Sequence, residues 1–116
     1  MKPQRIQLSR KSGFNLQAVS RALNGLPAVN CARPSEFGNP YTVAEYGREG
    51  AVKQYRYLIE KYPQLEASIK TELRGKNLGC WCKPGELCHA DVLLEIANSD
   101  GPVAIRKDIG SQNPIV

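Results

Sequence analysis

Short apolar segments occur at three places along the chain and predict three short strands. Residues 4–10 alternate between polar and apolar positions around Ile6 and Leu8, a pattern typical of a strand with one buried face. Residues 28–32 predict a second, largely buried strand, and residues 77–82 predict a third.

Two segments between the second and third predicted strands have helical periodicity. From about Arg48, apolar residues recur at steps of three and four and form a single stripe. Pro63 ends this helix or opens the next one in its first turn. Apolar residues then recur every fourth position from Leu65 to Leu73, and Gly75 is suited to cap that helix.

The remaining segments complete an α/β pattern. Residues 11–27 fit either a weak helix or an irregular loop, and a last helix is predicted to begin near Cys88 or His89. Because helices between successive strands favour parallel pairing, the sequence predicts one small α/β domain over residues 1–98. We expect a sheet of three or four mostly parallel strands with about three helices packed on it. Residues 99–116 are a C-terminal extension, predicted to be an edge strand or a partly disordered tail.

Composition narrows the class of protein. The chain has 116 residues, of which 41% are hydrophobic and 23% are charged, as in a globular domain. No apolar run approaches the roughly 18–20 residues that span a bilayer, and the N-terminus lacks the apolar segment of a secretory signal. We therefore expect a cytoplasmic protein without a membrane partner.

The net charge of +5 is concentrated in the first third of the chain. Residues 1–35 contain six basic side chains and no acidic one, whereas residues 36–116 contain ten basic and eleven acidic side chains. Such asymmetry is typical of a surface that binds nucleic acid or phosphate, and chance clustering on a soluble surface gives the same count. Basic residues 2–33 thus make nucleic acid a candidate partner.

Two loops rich in polar and conformationally special residues follow the second and third predicted strands. The first is RPSEFGNP, residues 33–40, and the second is CWCKPGELCHAD, residues 80–91. Ligands of parallel sheets bind beyond the carboxyl ends of the strands. If these two strands are adjacent and parallel, both loops share one rim, and the sequence predicts a pocket between them.

The first loop and the tryptophan carry the residues expected to bind a small polar or phosphate-bearing ligand. Arg33 suits a phosphate or carboxylate, Asn39 suits a base or amide edge, and Trp81 suits the wall of a pocket. The predicted ligand-binding set is Arg33, Ser35, Gly38, Asn39 and Trp81.

Four candidate metal ligands lie within ten residues: Cys80, Cys82, Cys88 and His89. One interpretation is a zinc site, because thiolates and imidazoles are the usual zinc ligands. The spacing differs from the common pair of two-residue knuckles, and adjacent Cys88 and His89 do not easily turn to one ion. Cys31 offers a replacement for one ligand.

A second interpretation is a reactive site without metal. The start of a helix lowers the pKa of a thiol, and a cysteine beside His89 has the parts of a nucleophile–base pair. Asp91 would orient the imidazole or cap the helix. The candidate catalytic residues are Cys82, Cys88, His89 and Asp91. A third interpretation is purely structural, with the thiols buried in the core and Trp81 as a packing anchor.

Six short motifs stand out when the chain is taken as a whole: RIQLSR (5–10), ARPS (32–35), GNP (38–40), LRGKNL (73–78), CWC (80–82) and CHAD (88–91). Together they resemble a family of phage and bacterial proteins known as domain of unknown function 4326, over about residues 4–98. The resemblance implies that Cys31 is not a signature position and that ten residues of the two loops are: Arg33, Gly38, Asn39, Pro40, Cys80, Trp81, Cys82, Cys88, His89 and Asp91. It also implies a phage or prophage origin, and hence the host cytoplasm, but no activity.

These observations lead to two main hypotheses. The first is a pocket for a nucleotide- or nucleoside-like ligand, in a protein that either only binds it or acts as an enzyme on nucleotides or nucleic-acid bases. The second is a zinc-stabilised module that binds nucleic acid or a host protein without catalysis. A further alternative is a phage accessory protein that inhibits a host enzyme. The reaction type stays open.

Overall fold

Three short parallel strands and four helices make up the part of the chain that the computed structural model describes, residues 2–99. The elements are β1 (Arg5–Gln7), α1 (Leu16–Asn24), β2 (Ala28–Asn30), α2 (Val43–Lys61), α3 (Pro63–Leu73), β3 (Asn77–Cys80) and α4 (His89–Ala97). The strand order is β1-β3-β2, and β3 pairs in parallel with both neighbours. The predicted α/β fold with a parallel sheet is confirmed.

The alternating side chains of β3 divide the helices between the two faces of the sheet. Leu78 and Cys80 belong to the main core, which they share with buried residues of α2, α3 and α4. Asn77 and Gly79 point to the other face, where Asn77 bonds to Ser20 of α1 and Gly79 lies against Leu16. The central strand is therefore buried on both faces, and its ends are the places where polar groups collect.

Helix α1 settles the choice between helix and loop for residues 11–27, and it raises the helix count from about three to four. The Asn15 side chain accepts a hydrogen bond from the backbone N–H of Ala18, and Gly25 closes the helix in the left-handed conformation at φ 80°. The buried residues of this helix are Ser20 and Asn24. Its apolar pattern is weak because it buries a polar stripe.

Helix α2 contains a break that explains where its apolar stripe begins. Gly47 has φ 73° inside the helix, so the regular stretch starts at Arg48, as the periodicity predicts. Ala51, Tyr55 and Ile59 then form its buried stripe. Pro63 is the first residue of α3, and no helix among residues 2–99 is long and apolar enough to cross a membrane.

The C-terminal extension predicted for residues 99–116 lies, except for Ser99, outside the described residues. The edge strand and the tail proposed for it therefore stay predictions.

Candidate functional site

The segments that follow β2 and β3 meet at one edge of the sheet, because these strands are adjacent and parallel. They enclose a half-open cavity of about 230 Å³, called here the carboxyl-end pocket. Its lining includes Arg33, Asn39, Arg48, Trp81, His89 and three cysteines. The predicted common rim of the two loops is confirmed.

The first loop folds tightly on itself and presents Arg33 at the pocket. The Ser35 N–H donates to the Ala32 carbonyl at 2.9 Å, and the Gly38 N–H donates to the Ser35 carbonyl at 3.0 Å. A Cβ atom on Gly38 would lie only 2.8 Å from the Cα of Arg33. Gly38 therefore acts by allowing close approach of the backbone, while the Arg33 side chain stays exposed.

The two polar side chains of this loop have different surroundings. Asn39 is buried; its Nδ2 donates to the Ala51 carbonyl at 3.1 Å and its Oδ1 accepts from the Tyr41 N–H at 2.9 Å. These bonds fix the loop to α2. The Ser35 hydroxyl oxygen is buried and has no hydrogen-bond partner among the described residues. A ligand-binding role for either residue stays a prediction.

Three thiols come together at the base of the pocket. The sulfur atoms of Cys80, Cys82 and Cys88, called here the three-thiol cluster, all lie within 4.8 Å of one another. Cys88 Sγ donates to Cys80 Sγ at 3.1 Å, and Arg48 Nη1 donates to Cys82 Sγ at 3.4 Å. All four cysteines of the chain are free thiols. The cluster can hold a metal ion.

The hydrogen bond between two of these thiols sets their acidities in opposite directions. Donation to Cys80, followed by burial, raises the pKa of Cys88 to about 11. Acceptance of the same bond lowers the pKa of Cys80. Both shifts have the same main cause, the S–H of Cys88 that points at the Cys80 sulfur. The pKa of Cys88 is thus raised, which reverses the lowering expected for a thiol at a helix start, because the bond to Cys80 and burial outweigh the helix N-terminus.

Burial is the main cause of the raised pKa values of the other two thiols, Cys82 and Cys31. Desolvation raises the pKa of Cys82, although the Arg48 guanidinium opposes it. Desolvation also raises the pKa of Cys31, from its ordinary value of 9.0 to about 12. Cys31 lies outside the three-thiol cluster, and its sulfur faces the Val29 carbonyl at 3.7 Å. Cys80 is therefore the thiol most readily ionised.

His89 contacts one thiol of the cluster, whereas Asp91 contacts the backbone of Cys88 and the side chain of Arg5. His89 Nε2 lies 2.8 Å from the Cys31 carbonyl, so Nε2 carries the proton and the lone pair of Nδ1 faces Cys88 Sγ at 3.7 Å. Asp91 accepts from the Cys88 N–H at 3.1 Å and pairs with Arg5 at 3.0 Å. Of its two predicted roles, Asp91 thus caps α4, and a catalytic role for these residues stays a prediction.

The pocket also contains residues that the sequence analysis missed. Arg48 reaches the second loop, where its Nη1 donates to the Leu87 carbonyl at 3.0 Å and its Nη2 lies 3.5 Å from Glu86. The guanidinium of Arg10 stacks over Trp81, 4.3 Å from the ring centroid. The only local signal for Arg48 is its place at the start of a regular helix, because its contacts come from a loop almost forty residues later in the chain.

The fold and the site define a small parallel α/β domain with a thiol-lined pocket at the carboxyl edge of its sheet. A family model described as Domain of unknown function (DUF4326) matches residues 6–99. The chain belongs to this family, as the six motifs indicated. Comparisons with curated proteins and with solved structures give no match.

Proposed function

We propose that the carboxyl-end pocket binds a small anionic ligand of nucleotide or nucleoside type. The observation that carries this proposal is the placement of Arg33, Arg48 and Trp81 around one cavity whose described lining contains no aspartate or glutamate. The exposed guanidinium of Arg33 suits a phosphate or carboxylate, because its planar donors match the oxygens. Arg48 adds a second guanidinium to the lining, which also contacts Cys82, Leu87 and Glu86. Trp81 suits a planar group.

The size of the cavity limits the ligand. At about 230 Å³ it is smaller than the roughly 300–1,000 Å³ typical of pockets for drug-sized molecules. A single base or a sugar phosphate fits this space better than a dinucleotide or a base-paired strand. We therefore favour a free nucleotide or nucleoside over an intact nucleic-acid duplex.

The single tryptophan of the chain gives a direct test. Trp81 lines the pocket and is 43% exposed, so a ligand that stacks on it should quench its fluorescence. Titration with the nucleoside 5′-monophosphates should give saturable quenching, whereas nucleosides should bind more weakly. Inorganic phosphate should compete for the arginines and leave the fluorescence of Trp81 unquenched.

An arginine variant with a matched control tests the anion site. Arg33→Ala should weaken monophosphate binding by about 10- to 100-fold, because it removes a charge-assisted pair. Arg21→Ala removes an equal charge from an exposed position on α1 and should leave the affinity unchanged. Equal losses in both variants, or no quenching by any monophosphate, would contradict the proposal.

A second candidate is a zinc-stabilised module that binds nucleic acid or a host protein. It is favoured by the three-thiol cluster, since Cys80, Cys82 and Cys88 have the donor type that zinc prefers. The basic N-terminal third supports it less, because Arg5 is engaged with Asp91 and Arg10 with Trp81. Loss of structure with a chelator, together with nucleic-acid binding that falls steeply with salt, would favour this candidate.

The cellular setting is part of the same proposal. All four cysteines are free, as a reducing compartment maintains them, and this supports a cytoplasmic location. A phage origin is kept as the implication of the family resemblance. Oxidation of the purified protein in air to a defined disulfide that is required for ligand binding would contradict the cytoplasmic location.

A further inference from the structure

The three-thiol cluster forms part of the wall of the carboxyl-end pocket. Cys80, Cys82 and Cys88 all line the carboxyl-end pocket, beside Arg33 and Arg48. We propose that the cluster holds one Zn²⁺ ion through three thiolates and that the fourth coordination position opens into the pocket, where an anionic group of the ligand binds. The identity of that ligand rests on the proposed function, but the metal site does not.

The distances between the sulfur atoms of the cluster span the value expected for a zinc site. Zn–S bonds of about 2.3 Å in a tetrahedron place the sulfur atoms about 3.8 Å apart. The three sulfurs lie within 4.8 Å of one another, and the closest pair, Cys80 and Cys88, is 3.1 Å apart. Opening this pair by about 0.7 Å would admit the ion. Binding through three thiolates releases the protons of all three thiols to solvent.

Donors already surround the sulfurs that would carry charge. Arg48 Nη1 donates to Cys82 Sγ at 3.4 Å, and the Ala90 N–H donates to Cys88 Sγ at 3.5 Å. Hydrogen bonds of this kind orient metal ligands and tune the metal. Three thiolates and a divalent ion carry a net charge of −1, which the guanidinium of Arg48 offsets.

The ligand count indicates an open position. Among residues 2–99, the cluster contains no fourth cysteine, histidine, aspartate or glutamate donor. The nearest imidazole is that of His89, which lies outside the cluster although its Nδ1 is 3.7 Å from Cys88 Sγ. Its ring is fixed by the bond of Nε2 to the Cys31 carbonyl and by edge-to-face packing on Tyr55 at 5.2 Å. Three protein ligands and one free position are the arrangement of reactive rather than structural zinc sites.

Cobalt(II) serves as a spectroscopic probe of the first half of the proposal. The full chain is stripped of metal, kept reduced with a phosphine, which competes for metal less than a thiol, and titrated with Co²⁺. We expect a thiolate-to-cobalt charge-transfer band that saturates at one ion per chain. Cys82→Ser should weaken cobalt binding by at least about 100-fold, since loss of an outer-shell partner alone costs about 10- to 100-fold.

Two variants control this result. Cys31→Ser alters a buried thiol outside the cluster and should leave the cobalt spectrum and affinity unchanged. Circular dichroism shows whether Cys82→Ser is folded; its side chain is only half-buried, so we expect it to fold. Absence of the charge-transfer band in the native chain, or its equal loss in Cys31→Ser and Cys82→Ser, would overturn the metal site.

The visible d–d bands of the cobalt protein test the open position. Addition of inorganic phosphate should change these bands, and Arg48→Ala should raise the phosphate concentration required. His89→Gln should leave the starting spectrum unchanged. If the d–d bands do not change on addition of phosphate, or if the starting spectrum changes in His89→Gln, the fourth coordination position is not open, and this half of the proposal is overturned.

The same samples separate this proposal from the proposed function. Quenching of Trp81 by monophosphates, with d–d bands that do not respond to them, would leave the nucleotide pocket standing and overturn the open metal position. A d–d response to phosphate, with no tighter binding of monophosphates, would support the open metal centre and contradict a nucleotide ligand.

Discussion

The two ends of β3 hold polar groups of opposite character. At the amino end, the side chain of Asn77 is fully buried and makes four hydrogen bonds. Its oxygen accepts from the Gln4 N–H at 2.8 Å and from Asn24 at 2.9 Å, and its nitrogen donates to Ser20 at 2.7 Å and back to Asn24 at 2.8 Å. An amide can make no more bonds than these.

At the carboxyl end of the same strand, the groups are left available. Arg33 is exposed, and the Ser35 hydroxyl has no partner among the described residues. The three sulfur atoms of the cluster lie together as free thiols. A closed network stabilises a fold and binds nothing, whereas an open set of donors costs stability and can bind a ligand or an ion. The two ends of β3 therefore differ in how far their polar groups are satisfied, and the proposed binding site lies at the end where they are not.

Removal of Asn77 gives the largest expected effect. Asn77→Ala removes one hydrogen bond each from the buried Ser20 hydroxyl and the Gln4 N–H and two from the buried Asn24 amide. We expect a loss of about 3 kcal/mol in the free energy of unfolding. Urea denaturation measures it. The matched change Asn15→Ala removes only the exposed N-cap of α1 and should cost about 1 kcal/mol. Similar costs in both variants would remove the basis of the comparison.

The variant Gly38→Ala tests whether the first loop positions Arg33 for ligand binding. In Gly38→Ala the new Cβ would meet the Arg33 backbone at 2.8–2.9 Å, so the loop must shift. We expect a loss of about 1–3 kcal/mol in stability together with weaker quenching of Trp81 by monophosphates. Gly50→Ala places a Cβ in ordinary contact at 3.4 Å within α2 and should stabilise the protein by up to about 1 kcal/mol. Unchanged ligand affinity in Gly38→Ala would show that the loop does not position Arg33.

Alkaline pH should lower the free energy of unfolding through titratable groups at the carboxyl end of β3 and not through the Asn77 network at its amino end. The pKa of Cys31 is about 12 in the folded protein, against an ordinary value of 9.0, so the unfolded chain loses this proton first. The stabilisation is fully present below pH 9 and is lost as the pH rises through about 12. For Cys31 the loss is roughly 1 kcal/mol at pH 10. The raised pKa values of Tyr55, Cys82 and Cys88 act in the same direction, and the lowered pKa of Cys80 acts against them.

Two variants sharpen this pH effect when unfolding is followed in urea without metal. Cys31→Ala should flatten the fall in stability between pH 8 and pH 10. Asn77→Ala should lower stability equally at every pH, because none of its partners titrates in this range. A steeper alkaline fall in Asn77→Ala than in the native chain would mean that the two ends of β3 are not independent.

The elements and the site differ in how far the sequence predicted them. The apolar stripe of α2 and the start of α4 were found because helical periodicity and helix caps are local signals. Helix α1 was left open, since its buried stripe is formed by Ser20 and Asn24, which carry no hydrophobic signal. The sequence leaves two roles for Asp91, and the hydrogen bond that it accepts from the Cys88 N–H shows the helix cap. Its ion pair with Arg5, 86 residues away in the chain, has no local signal.

The sequence by itself determined the parallel α/β class, the two loops at the carboxyl edge and the supply of thiols, because periodicity and spacing act over a few residues. Only the tertiary structure decided that Arg48 lies against Cys82, that the His89 ring turns to the Cys31 carbonyl and that Cys31 stands apart from the cluster. These outcomes depend on how distant helices pack on the sheet, and a contact between segments tens of residues apart leaves no local pattern in the chain.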